Sequence, residues 1–406
     1  MTERVVIIGA GHAAGQCAAS LRQKGWGGEI MIAGEEAYPP YQRPPLSKAF
    51  LAGELAAERL FVKPPAFYEK QNIELRLGVR VCAIDRSNAR ISFEDGPALD
   101  YDRLVLATGA RVRKLNIPGA DLEGAGYLRS IADVEALREK FKFGGRIVII
   151  GAGYIGLEVA AVARKCGLDV TVIELADRVL SRVASPAVSE FFEKLHRSHG
   201  VDLRLKTGIE KFTGEGAVGG VELSDGTPLA CDMAVTGIGI IPNSELAQAA
   251  GLETDDGVIV DEFTRSSDEK IFAIGDCTRH PSKYFGGRLR LESVHNALEQ
   301  AKTAAAAICG DLTAYDQPPW FWSHQYDVKL QTVGISAGRY DREIMRGDPA
   351  EKKFSVFYLR GDNLIAVDSI NAPADHMISR RLIAAGEPID REILANPETD
   401  LKSLMK

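Results

Sequence analysis

Two short glycine turns are the residues best placed to do chemistry in this chain. Gly9-Ala10-Gly11-His12-Ala13-Ala14 and Gly151-Ala152-Gly153-Tyr154-Ile155-Gly156 both match G-x-G-x-x-G/A. Between a strand and a helix, such a turn lets the backbone approach a pyrophosphate closely, and the helix N-terminus meets the anion with free N–H groups and a positive dipole end. One match alone could equally be a glycine-rich turn with no ligand. Here each is followed, near the expected spacing of roughly 20 residues, by an acid able to accept ribose hydroxyls: Glu35 after the first and Glu174 after the second. Two dinucleotide sites are therefore expected. Ala14 stands at the third position of the first turn, which tolerates it because that position serves helix–strand packing; Gly156 fills it in the second. A carboxylate at Glu174 would repel a 2′-phosphate and favour NADH over NADPH. If Glu174 instead points to solvent, Arg178 and Arg182 are near enough in sequence to serve a phosphate.

The elements that must position these turns are legible around them. Val5 to Ile8, the first turn, an Ala-rich helical segment and Glu29 to Ala33 give strand, turn, helix, strand, and the order recurs from Ile147 to Ile150 through Val170 to Ile173. This is an internal repeat on the scale of a domain. Between the repeats, Tyr38-Pro39-Pro40-Tyr41-Gln42-Arg43-Pro44-Pro45 is a loop stiffened by its prolines, able to hold a side chain such as Lys48 in place. Arg103 to Gly109 and Asp232 to Gly239 each read as a buried strand running into Thr-Gly, as at crossings between domains. Ile271 to Asp276 is a further apolar strand, followed by a helix around Asn296 to Cys309. Beyond Pro318-Pro319-Trp320-Phe321-Trp322 the pattern changes to short β-type runs, Phe354 to Leu359 and Leu364 to Asp368, and a smaller α+β domain is expected.

The 406 residues suffice for two or three domains, and 45% hydrophobic with 26% charged residues is an ordinary globular composition. The longest apolar run, Ile147 to Leu157, is too short for a membrane span of roughly 17–25 residues. A net charge of −7 without a basic run argues against nucleic acid. Cysteines 17, 82, 166, 231, 277 and 309 form no C-x-x-C pair and no metal-ligand spacing, and no export signal is apparent, so reduced thiols in the cytoplasm are expected. His196-x-x-His199 has helical spacing but lacks a third ligand, so no metal site is expected.

The first fingerprint, the Ala107-Thr108-Gly109 strand end, the run GAGYIGLE from Gly151 to Glu158 and Ile274-Gly275-Asp276, in this order, resemble the glutathione-reductase-type flavoproteins. The resemblance implies an α/β fold: two Rossmann-like domains, one for FAD (1–112 with 242–318) and one for NAD (113–241), and a C-terminal α+β interface domain (319–406). It implies FAD contacts from Gly9, Gly11, Ala13, Ala14, Glu35, Arg43, Ala107 and Asp276, and NADH contacts from Gly151, Gly153, Ile155, Gly156, Glu174, Arg182 and Gly239.

Disulfide-reducing members of that family carry a cysteine pair beside the flavin, whereas this sequence has Gln42-Arg43-Pro44-Pro45-Leu46-Ser47-Lys48 there and no cysteine from 18 to 81. Electrons are then expected to leave one at a time. The same segment, the TGIGIIPN run from Thr236 to Asn243, Glu292 to Ala301 and Pro319 to Ser323 resemble the putidaredoxin reductase-like ferredoxin reductases over nearly the whole chain. That branch passes electrons from NADH through FAD to a small acidic [2Fe-2S] ferredoxin, which feeds a haem-thiolate monooxygenase or a ring-hydroxylating dioxygenase.

By that resemblance Lys48, Val81, Arg129, Val294 and Trp322 join the FAD contacts, with Arg129 against the pyrophosphate. Lys48 would stabilise charge on reduced flavin, with Glu158 as its ion-pair partner; taken alone, each would be read as a solvated surface charge. Lys302, Lys402 and Trp320 would receive the ferredoxin, although the Trp320-Phe321-Trp322 cluster could equally be core. An NADH oxidase, a rubredoxin reductase and a redox-sensing flavoprotein of the apoptosis-inducing-factor type share both nucleotide turns and stand as alternatives.

Overall fold

The computed structural model describes residues 3–405. The chain divides into two compact units: Met1–Arg43, Ala57–Arg111 and Ile241–Pro319 form one, and Pro44–Ala56, Val112–Ile240 and Trp320–Lys406 the other.

In the first unit five parallel strands lie in the order Ile271–Ala273, Arg103–Leu106, Arg4–Ile8, Glu29–Gly34, Ile73–Leu77. Val5, Val6 and Ile7 are wholly buried, as expected of a central strand covered on both faces. The His12–Gln23 helix packs on one face with the Val294–Ile308 helix beside it; Ala14, Cys17, Ala18, Ala301, Ala304 and Ala305 make a small-residue seam between sheet and helices. The Gly275–Cys277 turn follows the edge strand directly.

The second unit repeats this plan, with parallel strands in the order Asp202–Arg204, Asp169–Ile173, Arg146–Ile150, Met233–Thr236, Ala125–Tyr127. It also holds a five-stranded antiparallel sheet in the order Trp320–Gln325, Val328–Gly334, Asn363–Ile370, Lys353–Arg360, Arg342–Asp348, covered by the Pro373–Ala385 helix. Phe191 of the Pro186–Ser198 helix meets Phe354 of this sheet edge to face, with ring centroids 5.1 Å apart. The segment Pro44–Ala56 belongs to this unit: the prolines set a short turn at Pro44–Ser47, and Lys48 N–H donates to the Pro45 carbonyl. Among the described residues, no helix is long and apolar enough to cross a membrane.

Candidate functional site

Each glycine turn is built by two different constraints. Gly9 and Gly151 have φ of 107° and 102°, and a Cβ at these positions would lie 2.1 Å from the Ala107 carbonyl oxygen and 2.5 Å from that of Gly237. Only glycine allows the strand to turn there. Gly11 and Gly153, by contrast, have ordinary φ and open space where a Cβ would go. Each is the N-cap of its helix and offers no side chain to the first N–H groups, so those donors face a space that a side chain would fill. Unpaired N–H groups at the positive end of a helix are suited to a pyrophosphate oxygen. The Ala107 side of the first turn and the Gly237 side of the second thus hold the backbone, while Gly11 and Gly153 leave room for a ligand. At Gly156 a Cβ would meet the Gly151 oxygen at 2.0 Å, whereas Ala14 is accommodated with no exposure.

In the first unit the Asp276 turn lies against the fingerprint helix. A Cβ on Gly275 (φ 82°) would stand 3.3 Å from Ala13 Cβ, and the Gly275 N–H donates to Gln300 Oε1 at 2.7 Å. His12, which sequence reasoning passed over, sits by Asp276: burial lowers its pKa and the Asp276 charge works the other way. Arg43 is ion-paired with Glu36 at 2.7 Å, and Tyr41 O–H donates to the same carboxylate at 2.5 Å. The acid after the first turn therefore has an unforeseen neighbour. Glu35 is largely exposed beside Arg80 (3.2 Å), while Glu36 anchors the loop that carries Arg43. Ala107 is buried, Val81 is half-buried at the start of the Val81–Asp85 strand, and Val294 opens a helix capped by Ser293. Lys302 is exposed and paired with Glu299 at 2.7 Å, which offsets its charge.

In the second unit Glu174 accepts from the backbone N–H of Ala152 at 2.7 Å and of Ala176 at 2.8 Å, so its carboxylate is fixed against the glycine turn. The solvent-facing alternative fails with it. Arg178 donates to the Ala184 and Ser181 carbonyls and to Ser189 Oγ at 2.6–2.8 Å, so three of its five N–H groups are engaged within the loop. Arg182 is exposed and reaches over Gly239, 3.8 Å from where a Cβ would stand. Ile155 is 42% exposed on the first turn of its helix, and Tyr154 beside it lies against Phe321, centroids 4.6 Å apart.

Lys48 and Glu158 meet in this unit, Nζ to Oε2 at 2.6 Å. Glu158 is 1% exposed, and two serines complete its shell: Ser47 Oγ donates to Oε2 at 2.5 Å and Ser323 Oγ to Oε1 at 2.6 Å. Both serines lie in segments that carry the family resemblance, but no role was assigned to either from the sequence. Arg129 precedes the capping box of the Ile131–Phe141 helix and shares its Asp133 through a backbone bond of 2.9 Å. Trp320 and Trp322 point to one side of their strand with centroids 5.4 Å apart, and Phe321 to the other; all three are half-buried rather than core. Arg380 stacks over Trp320 at 5.3 Å. Lys402 is exposed in the Leu401–Leu404 turn. The residues assigned to FAD are thus divided between the units: Lys48, Arg129 and Trp322 in the second, the rest in the first.

His196 and His199 do not face one ion. His196 is bonded to Gln325 and Tyr326, and His199 stacks on the Tyr326 ring at 3.7 Å.

Comparison with known proteins shows the family and the fold. A family model described as pyridine nucleotide-disulphide oxidoreductase matches residues 3–301, and one described as reductase C-terminal matches residues 320–405. Putidaredoxin reductase of Pseudomonas putida is 45% identical over 99% of this chain and 97% of its own length. Rhodocoxin reductase of Rhodococcus erythropolis is 45% identical over 98% and 93%. The solved covalent complex of putidaredoxin reductase with putidaredoxin contains a chain that superposes with a TM-score of 0.96 at 44% identity, covering 99% of this chain and 98% of that one.

Proposed function

The chain belongs to the pyridine nucleotide-disulphide oxidoreductase family, with its glutathione-reductase-like fold, and on that premise we propose that it is an FAD-dependent NADH:ferredoxin oxidoreductase. The observation that carries this reading is the pair of glycine cradles in a chain whose described cysteines are all unpaired and none of which lies near Ser47-Lys48. When bound, FAD and NADH supply hydride transfer and its conversion to single-electron delivery. The protein contributes position and electrostatics. Gly9, Gly11 and the Asp276 turn hold FAD in the first unit; Gly151, Gly153 and Glu174 hold NADH in the second.

Lys48, held by its ion pair with Glu158, would offset the negative charge that reduction brings. No side chain has to donate or remove a proton for hydride transfer, and Glu158 serves to hold Lys48, accepting in addition from Ser47 and Ser323.

The acceptor is a small acidic [2Fe-2S] ferredoxin serving a haem-thiolate monooxygenase or a ring-hydroxylating dioxygenase in the cytoplasm. Trp320 under Arg380, with Lys402, supports a docking surface for it in the second unit; Lys302, in the first, is exposed but paired with Glu299. The test is anaerobic reduction of a [2Fe-2S] ferredoxin by NADH and the holoprotein, with rubredoxin and oxygen as competing acceptors. Faster turnover with rubredoxin or oxygen than with ferredoxin would overturn the assignment.

A further inference from the structure

The bonds around Glu158 extend further than one shell. Ser323 Oγ, which donates to Glu158, lies 3.2 Å from Gln325 Nε2; Gln325 Oε1 lies 2.8 Å from His196 Nε2; and Tyr326 O–H lies 3.2 Å from His196 Nδ1. Ser323, Gln325, His196 and Glu158 are each no more than 1% exposed. Their hydrogens can be assigned outward from the anion. An ionised carboxylate only accepts, so the single Ser323 proton goes to Glu158. Ser323 must then accept from the amide NH2 of Gln325, which turns the Gln325 carbonyl toward His196. His196 must therefore donate from Nε2, and its Nδ1 accepts from Tyr326. Burial supports this single neutral form, because it pushes the His196 pKa down to about 4.

Every dipole in the chain points the same way, toward Glu158, and bonds so aligned polarise and strengthen one another. The far end is fixed as well. Tyr326 holds a left-handed φ of 55° at the tip of the Trp320–Gln325/Val328–Gly334 hairpin, and His199 stacks on its ring at an interplanar angle of 13°. A non-glycine residue in that conformation persists only where its surroundings hold it.

We propose that Ser323, Gln325 and His196 are positioning residues for the redox site, a one-way donor chain that fixes the Glu158 carboxylate and so holds the Lys48 ammonium in place. The inference rests on the reading of Lys48 as the counter-charge to reduced flavin. It adds to that reading a set of residues carried by the Pro186–Ser198 helix and the C-terminal sheet, which no glycine fingerprint marks.

The holoprotein tests it with four variants. Ser323→Ala should slow the limiting rate of flavin reduction by NADH about tenfold in anaerobic stopped flow, the loss expected for one bond to a charged group. Gln325→Met, which takes the amide donor from Ser323 and the carbonyl acceptor from His196 without touching Glu158 or Lys48, should slow it about threefold. Both should leave half-saturation by NADH unchanged and lower the flavin midpoint potential, and Ser323→Thr, which keeps the hydroxyl, should restore rate and potential. In the wild-type protein, 15N NMR of labelled histidine should find His196 protonated on Nε2 alone at pH 7. A His196 proton on Nδ1, or Gln325→Met with wild-type rate and potential while Lys48→Met is slow, overturns the donor chain and leaves the Lys48 reading standing. Lys48→Met with an unchanged rate overturns both.

Discussion

Replacing Glu174 with alanine should relax the choice of coenzyme without inverting it. In the native protein the carboxylate is pinned by the Ala152 and Ala176 N–H groups and cannot swing away from an incoming 2′-phosphate. Two unit charges 4 Å apart repel by about 1 kcal/mol in bulk water and about 4 kcal/mol at the effective dielectric of a protein surface. Glu174 is half-buried and a phosphate carries more than one charge, so discrimination of roughly 2–4 kcal/mol is expected, or about 30- to 800-fold in kcat/KM favouring NADH. Glu174→Ala removes the repulsion, and with it a charge-assisted bond to the ribose of NADH worth roughly 1.5–3 kcal/mol. The ratio should then fall below about tenfold, by a drop for NADH together with a gain for NADPH. It should not invert, since Arg178 is anchored to the Ser181 and Ala184 carbonyls and Arg182 is the exposed cation nearest Gly239. The assay is steady-state kcat/KM for both coenzymes with ferricyanide as acceptor, which keeps the protein partner out of the measurement. A wild-type preference for NADPH, or an unchanged ratio in Glu174→Ala, would refute the reasoning.

The two kinds of glycine should separate on mutation. Gly153→Ala should fold with near-native stability, because its Cβ meets nothing, yet raise the KM for NADH at least tenfold, whereas Gly151→Ala, at φ 102° and 2.5 Å from the Gly237 oxygen, should lose about 2–4 kcal/mol in urea unfolding. Asp368 is 3% exposed, bonded to Tyr358 O–H at 2.7 Å, and burial pushes its carboxyl up to about 7. The folded protein thus holds a proton that the unfolded chain releases above about pH 4, so this group's stabilisation is complete below pH 4 and is lost as pH rises through 7, on the order of 4 kcal/mol in all. Asp368→Asn should flatten the dependence of Tm between pH 4 and 8, and a curve of unchanged slope would count against a protonated Asp368. Ferredoxin reduction should slow severalfold between about 50 and 300 mM salt and in Trp320→Ala, while reduction of ferricyanide holds steady; equal effects on both acceptors would remove Trp320 from the docking surface.

What the sequence determined by itself was everything carried by local stereochemistry. Gly9 and Gly151 are required where a strand must turn at positive φ, the N-capping glycines follow two residues later, and the apolar runs on either side can only be buried parallel strands. These signals act between neighbours along the chain, so both cradles and the fold class were legible. The alternation of a strand also accounts for Trp320 and Trp322 on one face and Phe321 on the other, but not for which face meets solvent.

Only the tertiary structure decided which polar side chains are buried together. Glu174 and Arg178 stand four positions apart, and nothing in that spacing told which would be fixed on the turn and which spent on carbonyls. Lys48 and Glu158 are separated by more than a hundred residues, and although Ser47, Ser323 and His196 fall within short motifs, nothing in those motifs joins them to one another, to Gln325 or to Glu158. In sequence each is a common polar residue with no periodic neighbour. Their meaning comes from desolvation: once packing excludes water, each donor must find an acceptor, and the buried Glu158 carboxylate sets the direction of all of them.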